Sequence, residues 1–332
     1  MGGWDTTKTQ KTRLTPRVVA DTLPVVDKFV KEFNYWLEER ELDRVSVGRP
    51  TGSSAYYAED LKENPEKIYG DIDLQMIGSP IEGKTYGQFA GTWNRLADEF
   101  VKDMQPHYID IGESKVGHPI FCVNDDFVQV DFMWHEPKLA TWGLHRVTPE
   151  RGVKGSLHGN MFSVFGELLD MSIQHAGVQL KTIDGVHVPF SKQKGTEVVT
   201  ITTSPGSFIY DVFAYEARLQ GIEDFDSSDS LMQCPGNNLN NVKISRLVRG
   251  VKGFAESCEL NDMFGKVDLA DFSSAEDFLN KFLTRYEEKA MIDVNASKRD
   301  KASTPDAIAR AQADKLKVLT GLEKVKGYFN ET

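Results

Sequence analysis

The sequence predicts an α+β (α/β) protein: a mixed β-sheet with flanking helices, then a mixed strand and helix region, then a helical C-terminus. Three observations carry this. Helix-period apolar stripes alternate with strand-period runs through the first 150 residues, the pattern of a mixed sheet covered by helices. Short strand-like runs separated by turn residues follow, between Val178 and Val212. Beyond residue 223 the periodicity is mainly helical. The expected division is therefore 1–150, 151–222 and 223–332.

A first helix is expected over Pro24–Glu41, where Val25, Val26, Phe29, Val30, Phe33, Trp36 and Leu37 form one stripe and Pro24 suits a first turn. Arg44–Gly48 reads as a short strand, ended by the turn Arg49-Pro50-Thr51-Gly52-Ser53-Ser54. A short helix and a polar loop through Lys62–Lys67 lead into a strand, Tyr69-Gly70-Asp71-Ile72-Asp73-Leu74-Gln75-Met76, which ends near Gly78. Thr85 with Gln88 makes a capping box for a helix bearing Phe89, Trp93, Leu96, Phe100 and Met104. Three strands are expected next, at His107–Ile111, His118–Val123 and Phe127–Trp134, with turns at Gly112-Glu113-Ser114 and Asn124-Asp125-Asp126.

The stretch Arg151–Asn160 opens a helix expected to reach about His175, with Leu157, Met161, Phe165 and Leu168 buried and Gly177 as its C-cap. Strands are then expected at Val178–Ile183, Val186–Phe190, Val198–Thr203 and Phe208–Val212, with turns at Asp184-Gly185 and Pro205-Gly206 and a basic loop at Lys192–Gly195. After an acidic link, Glu223–Ser230, a helix sets Lys243, Arg246, Arg249 and Lys252 opposite an apolar side of Val242, Ile244, Leu247, Val248 and Val251. Ser274 caps a helix containing Phe278, Phe282 and Tyr286. Asn295–Ser303 is a charged linker, and Thr304-Pro305 opens a last helix toward Lys326.

Bulk properties narrow the function classes. The net charge of −11 over 332 residues argues against a broad, non-specific grip on nucleic acid while leaving room for a local basic groove. No apolar run approaches the roughly 18 residues of a membrane span, and the polar start Met1-Gly2-Gly3-Trp4-Asp5 is no signal peptide. Cys122, Cys234 and Cys258 are isolated, so neither a disulfide framework nor a zinc site is indicated. His145 and His158 lack metal-ligand spacing. A cytoplasmic protein with no membrane partner is the expectation.

The chemistry is carried by carboxylates. On a strand side chains alternate faces, so Asp71 and Asp73 point the same way, about 7 Å apart along the chain, while Ile72 and Leu74 enter the core. Asp131, in Val128-Gln129-Val130-Asp131-Phe132-Met133, brings a third carboxylate on a neighbouring apolar strand and shares a face with Gln129 and Met133. Asp125 and Asp126 are the competing third carboxylates, but their place after Asn124 marks them as turn formers. Carboxylates gathered in this way are costly without a cation and suit hard, oxygen-loving Mg²⁺.

The order Gly52-Ser53, then Asp71-x-Asp73 on a strand, then a lone Asp131 on a later strand resembles the DNA polymerase β nucleotidyltransferase superfamily, over roughly residues 20–175. Two departures stand out: Thr51 where the family usually has an apolar residue, and a longer gap between Gly52 and Asp71 than in compact members. Ser54 is placed to share the role of Ser53. The resemblance implies that Asp71 and Asp73 hold the nucleotide-binding Mg²⁺ and share a second ion with Asp131, Mn²⁺ being an alternative metal. It implies that the amides around Gly52 and Ser53 meet the triphosphate of an NTP, and that a later lysine touches it. Lys154 is the best candidate for that lysine and Arg49 a weaker one. The expected activity is transfer of an NMP to an acceptor with release of pyrophosphate. The acceptor stays open between an RNA 3′ end such as that of tRNA, a protein hydroxyl and a small molecule. The competing class is a non-catalytic nucleotide-binding or scaffold protein that keeps the fold.

Overall fold

Thr15 starts the first helix, α1 (Pro16–Glu38), by accepting the Val18 N–H, with Pro16 at the first helical position. The expected start at Pro24 is therefore corrected, and Pro24 lies inside the helix. Pro24 removes one hydrogen bond from the ladder. The helix continues through it because the buried stripe extends to both sides, from Val19 to Val26, Phe29, Phe33 and Leu37. It closes earlier than expected, where Glu41 takes a φ of 57° and the Leu42 N–H returns to the Leu37 carbonyl at 3.0 Å.

This computed structural model describes residues 14–81, 86–104, 119–124, 126–143, 153–174, 177–189, 194–223, 225, 243–266, 269–296 and 305–331. The chain divides into two compact units, Met1–Gly143 and Leu144–Thr332.

In the first unit, β1 (Ser46–Thr51) pairs antiparallel with β2 (Asp73–Ile77), and β2 pairs parallel with β5 (Asp131–His135), in the order β1-β2-β5. The strand β1 runs on through Arg49, Pro50 and Thr51, which read as turn residues in the sequence. Pro50 is accommodated because β1, at the edge of the sheet among the described residues, shifts register between Val47 and Pro50. A 3-10 turn, Gly52–Tyr56, then leads into α2 (Tyr57–Glu63). The helix α3 is Tyr86–Asp103. A hairpin of β3 (Ile120–Val123) and β4 (Asp126–Gln129) turns at Asn124, whose φ is 51°.

The expected single strand over Phe127–Trp134 is two strands. Through Gln129 the chain pairs with β3, the Val130 N–H then bonds the Pro119 carbonyl at 3.0 Å, and the Asp131 N–H bonds Ile72 at 2.8 Å. From there β5 follows β2. Asp131 is thus the first residue of its strand rather than its middle. The core beside this sheet is aromatic: the Phe29 ring meets Phe100 and Phe121 edge-on with centroids 5.2 and 5.4 Å apart. Trp134 stacks on Trp93 and donates its indole N–H to Asn94 at 2.6 Å. The short helix α4 (Ala140–Gly143) ends the unit.

The second unit opens with α5 (Gly155–Leu168). This helix stops short of His175, because Asp170 takes a φ of 49° and the Met171 N–H returns to Gly166 at 2.8 Å. The strand β6 (Ser172–Gln174) follows. Gly177 is correspondingly no helix cap. It begins β7 (Gly177–Ile183) at φ 89°, where a Cβ would stand 2.4 Å from the Thr202 carbonyl. The strand β7 pairs antiparallel with β6, with β8 (Val186–Val188) and with β9 (Glu197–Thr202).

The run Phe208–Val212, expected as a strand, begins the helix α6 (Phe208–Leu219). Its buried Phe208, Ile209, Val212, Phe213 and Ala217 recur at helical spacing, which the first five residues alone do not reveal. Among the described residues three longer helices follow: α7 (Ile244–Leu260), α8 (Ala275–Ala296) and α9 (Pro305–Asn330). Ser274 caps α8 as expected, its hydroxyl accepting the Asp277 N–H at 3.1 Å.

Among the described residues no helix is long and apolar enough to cross a membrane. Cys122 and Cys258 are free thiols, one exposed and one buried. Thr85, the run His107–Ile111, Asp125, His145, Lys192, Cys234 and most of Glu223–Ser230 and Asn295–Ser303 lie outside the described residues.

Candidate metal centre

The site is built where the three strands of the first sheet begin or end. Asp73 opens β2 and Asp131 opens β5, and the two are direct partners in the parallel register. On the other side of β2, Thr51, the last residue of β1, pairs with Asp73. Asp71 lies just ahead of β2, and the Ile72 carbonyl between the two aspartates is fixed by the Asp131 N–H. Alternation does the rest. Ile72, Leu74 and Val130 are fully buried and Phe132 nearly so, which turns Asp71, Asp73 and Asp131 to the opposite side. There they are part-buried, and a carboxylate oxygen from each lies within 4.8 Å of the others. Met133, on the Asp131 face, is 38% exposed, so that face opens to solvent.

Gly52 stands against this cluster. Its φ is 61°, and a Cβ there would come within 2.5 Å of Asp73 Oδ2. Glycine is thus required twice, by the left-handed backbone and by the approach of the carboxylate. The two serines after it differ. Ser54 is fully buried and its hydroxyl donates to the Thr51 carbonyl at 2.9 Å, closing the turn. Ser53 is exposed.

Two residues that the sequence did not single out support the cluster. Gln129 is 6% exposed and donates its amide Nε2–H to Asp131 Oδ1 at 2.8 Å. Its only sequence signal is its place two residues before Asp131, on the same face. The second is Asp60 on α2, buried at 4% exposure, which accepts the Tyr69 hydroxyl at 2.7 Å and the Lys67 ammonium at 2.5 Å. This ties the helix after the glycine turn to the segment that enters Asp71. Burial first, and the Asp60 carboxylate second, push the Tyr69 phenol far up, so it stays a donor.

The other candidates are carried by other residues of β1 and by the second unit. Arg49 is exposed on β1. Lys154 belongs to the second unit, at the start of α5, with its ammonium 3.8 Å from Asp314 on α9. Of the basic face on α7, Lys252 is engaged with the end of α9, donating to the Glu331 carbonyl at 2.6 Å, while Lys243 and Arg249 are exposed. His158 is buried within α5.

Chemically, three carboxylates that close offer only hard, anionic oxygen donors and repel one another. That is the donor set of a Mg²⁺ or Mn²⁺ site, and the residues present fit it. Comparison with protein-family models, with curated proteins and with solved structures gave no match to this chain.

Proposed function

We propose that this protein is a nucleotidyltransferase, which moves a nucleoside monophosphate from an NTP to an acceptor hydroxyl and releases pyrophosphate. One observation carries the reading: Asp71, Asp73 and Asp131 converge within 4.8 Å beside the Gly52-Ser53 turn. Asp71, Asp73 and Asp131 would hold two divalent ions, Mg²⁺ or Mn²⁺. When bound, such ions neutralise phosphate charge and lower the pKa of an attacking hydroxyl.

The remaining tasks fall to the chain. Backbone N–H groups of the Gly52-Ser53 turn donate to the triphosphate, and the missing side chain at Gly52 lets phosphate oxygens approach the backbone. Asp131 is the carboxylate that takes up the acceptor proton as the new bond forms. The acceptor oxygen bonds to the α-phosphorus, the bond from that phosphorus to the bridging α–β oxygen breaks, and pyrophosphate leaves with the electron pair. Fixed positioning and charge complementarity supply the acceleration.

The test is pyrophosphate release from each labelled NTP with Mg²⁺, in the presence of total cell RNA and a protein extract. The labelled species names the base and the acceptor together. Asp131→Asn is expected to lower turnover by about a hundredfold or more, and the pair Asp71→Asn with Asp73→Asn to abolish it. Intact turnover in that pair overturns the site. No turnover in the wild type, with nucleotide bound equally well by Asp131→Asn, makes the protein a non-catalytic nucleotide binder instead.

A further inference from the structure

We infer that Gln129 is a positioning residue of the metal centre, acting through Asp131. The inference rests on the reading of the three aspartates as metal ligands and adds a fourth member to their site. Gln129 ends β4, on the hairpin with β3, whereas Asp131 begins β5, in the sheet with β2. Val130, which separates them, is fully buried and bonded to Pro119, so the backbone between the two side chains is pinned from both sheets. Gln129 itself is more than nine-tenths buried. Its amide has one neighbour that decides its orientation: the Nε2–H donates to Asp131 Oδ1 at 2.8 Å.

The consequence is geometric. A free aspartate rotates about two side-chain torsions and presents either oxygen. With Oδ1 held by a buried amide, Asp131 is restricted in the orientation it presents to the cluster. The amide also donates to the charged carboxylate, which strengthens the bond relative to a neutral pair. A neutral amide suits this post better than lysine or arginine, because a second cation would compete with the metal. Partners of this kind around metal ligands typically govern affinity by 10- to 100-fold. The Gln129 Oε1 is buried and accepts no hydrogen bond among the described residues.

The experiment is Mn²⁺ binding to the full-length protein by titration of the free-ion spin-resonance signal, with thermal melting of the metal-free form beside it. Gln129→Leu removes the donor. Gln129→Asn keeps an amide but falls one methylene short of Asp131, and so serves if the leucine variant folds poorly. Both are expected to raise the Mn²⁺ dissociation constant about 10-fold or more, with the metal-free melting point shifted by only a few degrees. In an Asp131→Asn background, Gln129→Leu is expected to change the constant less than 2-fold, because the glutamine acts through the aspartate. Wild-type affinity in folded Gln129→Leu or Gln129→Asn overturns the positioning role alone, as does an undiminished effect in the Asp131→Asn background. Absence of Mn²⁺ binding by the wild type overturns the metal reading and this proposal with it.

Discussion

At Gly52 the left-handed backbone and the Asp73 carboxylate meet in one residue, so one substitution probes both. Gly52→Ala places a methyl group at φ 61°, a strain of about 1–2 kcal/mol, and forces Asp73 Oδ2 away from the cluster. A lowered melting point together with Mn²⁺ binding weakened about tenfold is the expected pair of results. A lowered melting point with unchanged Mn²⁺ binding would separate the glycine from the metal. Asp98 on α3 gives a prediction of opposite sign. Burial chiefly raises its pKa, Lys102 opposes the rise and Glu99 adds to it, and Oδ1 is buried without a hydrogen bond among the described residues. With the folded pKa above the unfolded one, stability is full below about pH 4 and is lost as pH rises through the raised value. Asp98→Asn should therefore stabilise the protein at pH 7 by roughly 0.5–1 kcal/mol, the gain vanishing near pH 3 in urea melts. At this scale the sequence is most readable where residue type and period coincide. Asp71 and Asp73 declare their shared face by alternation, and Gly52 declares a turn. What Gly52 stands against is set by the pairing of Thr51 with Asp73, a contact 22 residues apart that no local pattern contains.

Among the elements, α2 and the lead-in to β2 are held together by a buried charge. Asp60 receives both the Tyr69 hydroxyl and the Lys67 ammonium, and the Tyr69 N–H also bonds the Leu14 carbonyl ahead of α1. Removing the carboxylate leaves the phenol buried with nothing to donate to, whereas Lys67, one-third exposed, can turn to water. Asp60→Ala is therefore expected to cost about 2–3 kcal/mol and Tyr69→Phe about 1–2 kcal/mol in urea unfolding. The double variant should cost less than their sum, because both remove the same bond. Additive losses would show that the contact carries no coupling. Tyr69 also sets an alkaline limit: its folded pKa is raised, so its contribution holds below about pH 10 and fades above it. The helices α3, with its long stripe, and α8, with its Ser274 cap, are legible from sequence. The failures share a cause. Phe208–Val212 and the break at Val130 lie in short, mainly apolar runs, where helix, single strand and two strands present the same letters until the partner is known.

On the scale of the whole chain, the candidate chemistry and the longest described helix belong to different units. All three aspartates, Gly52 and Gln129 fall within Met1–Gly143, and the longest described helix, α9, falls within Leu144–Thr332. The second unit has its own charged tie, where Glu167 of α5 meets Lys289 and Arg285 of α8. Burial alone would raise the Glu167 pKa, but the hydrogen bonds from Lys289 and Arg285 outweigh it and hold the carboxyl below its usual range. That tie is present above about pH 4.5 and is lost as pH falls through the lowered value. Metal and acid should consequently act on different amides. In hydrogen exchange at pH 7, Mn²⁺ is expected to slow exchange at the Gly52–Tyr56 turn and along β2 and β5, because a ligand that binds only the folded form suppresses the openings that expose its site. Amides of α5 and α8 should keep their metal-free protection factors at that pH and lose protection on acidification, least of all in Glu167→Gln, whose tie is already absent at pH 7. Protection that appears in α5 and α8 on adding Mn²⁺, and not around Asp71, Asp73 and Asp131, would place the ion away from the three aspartates.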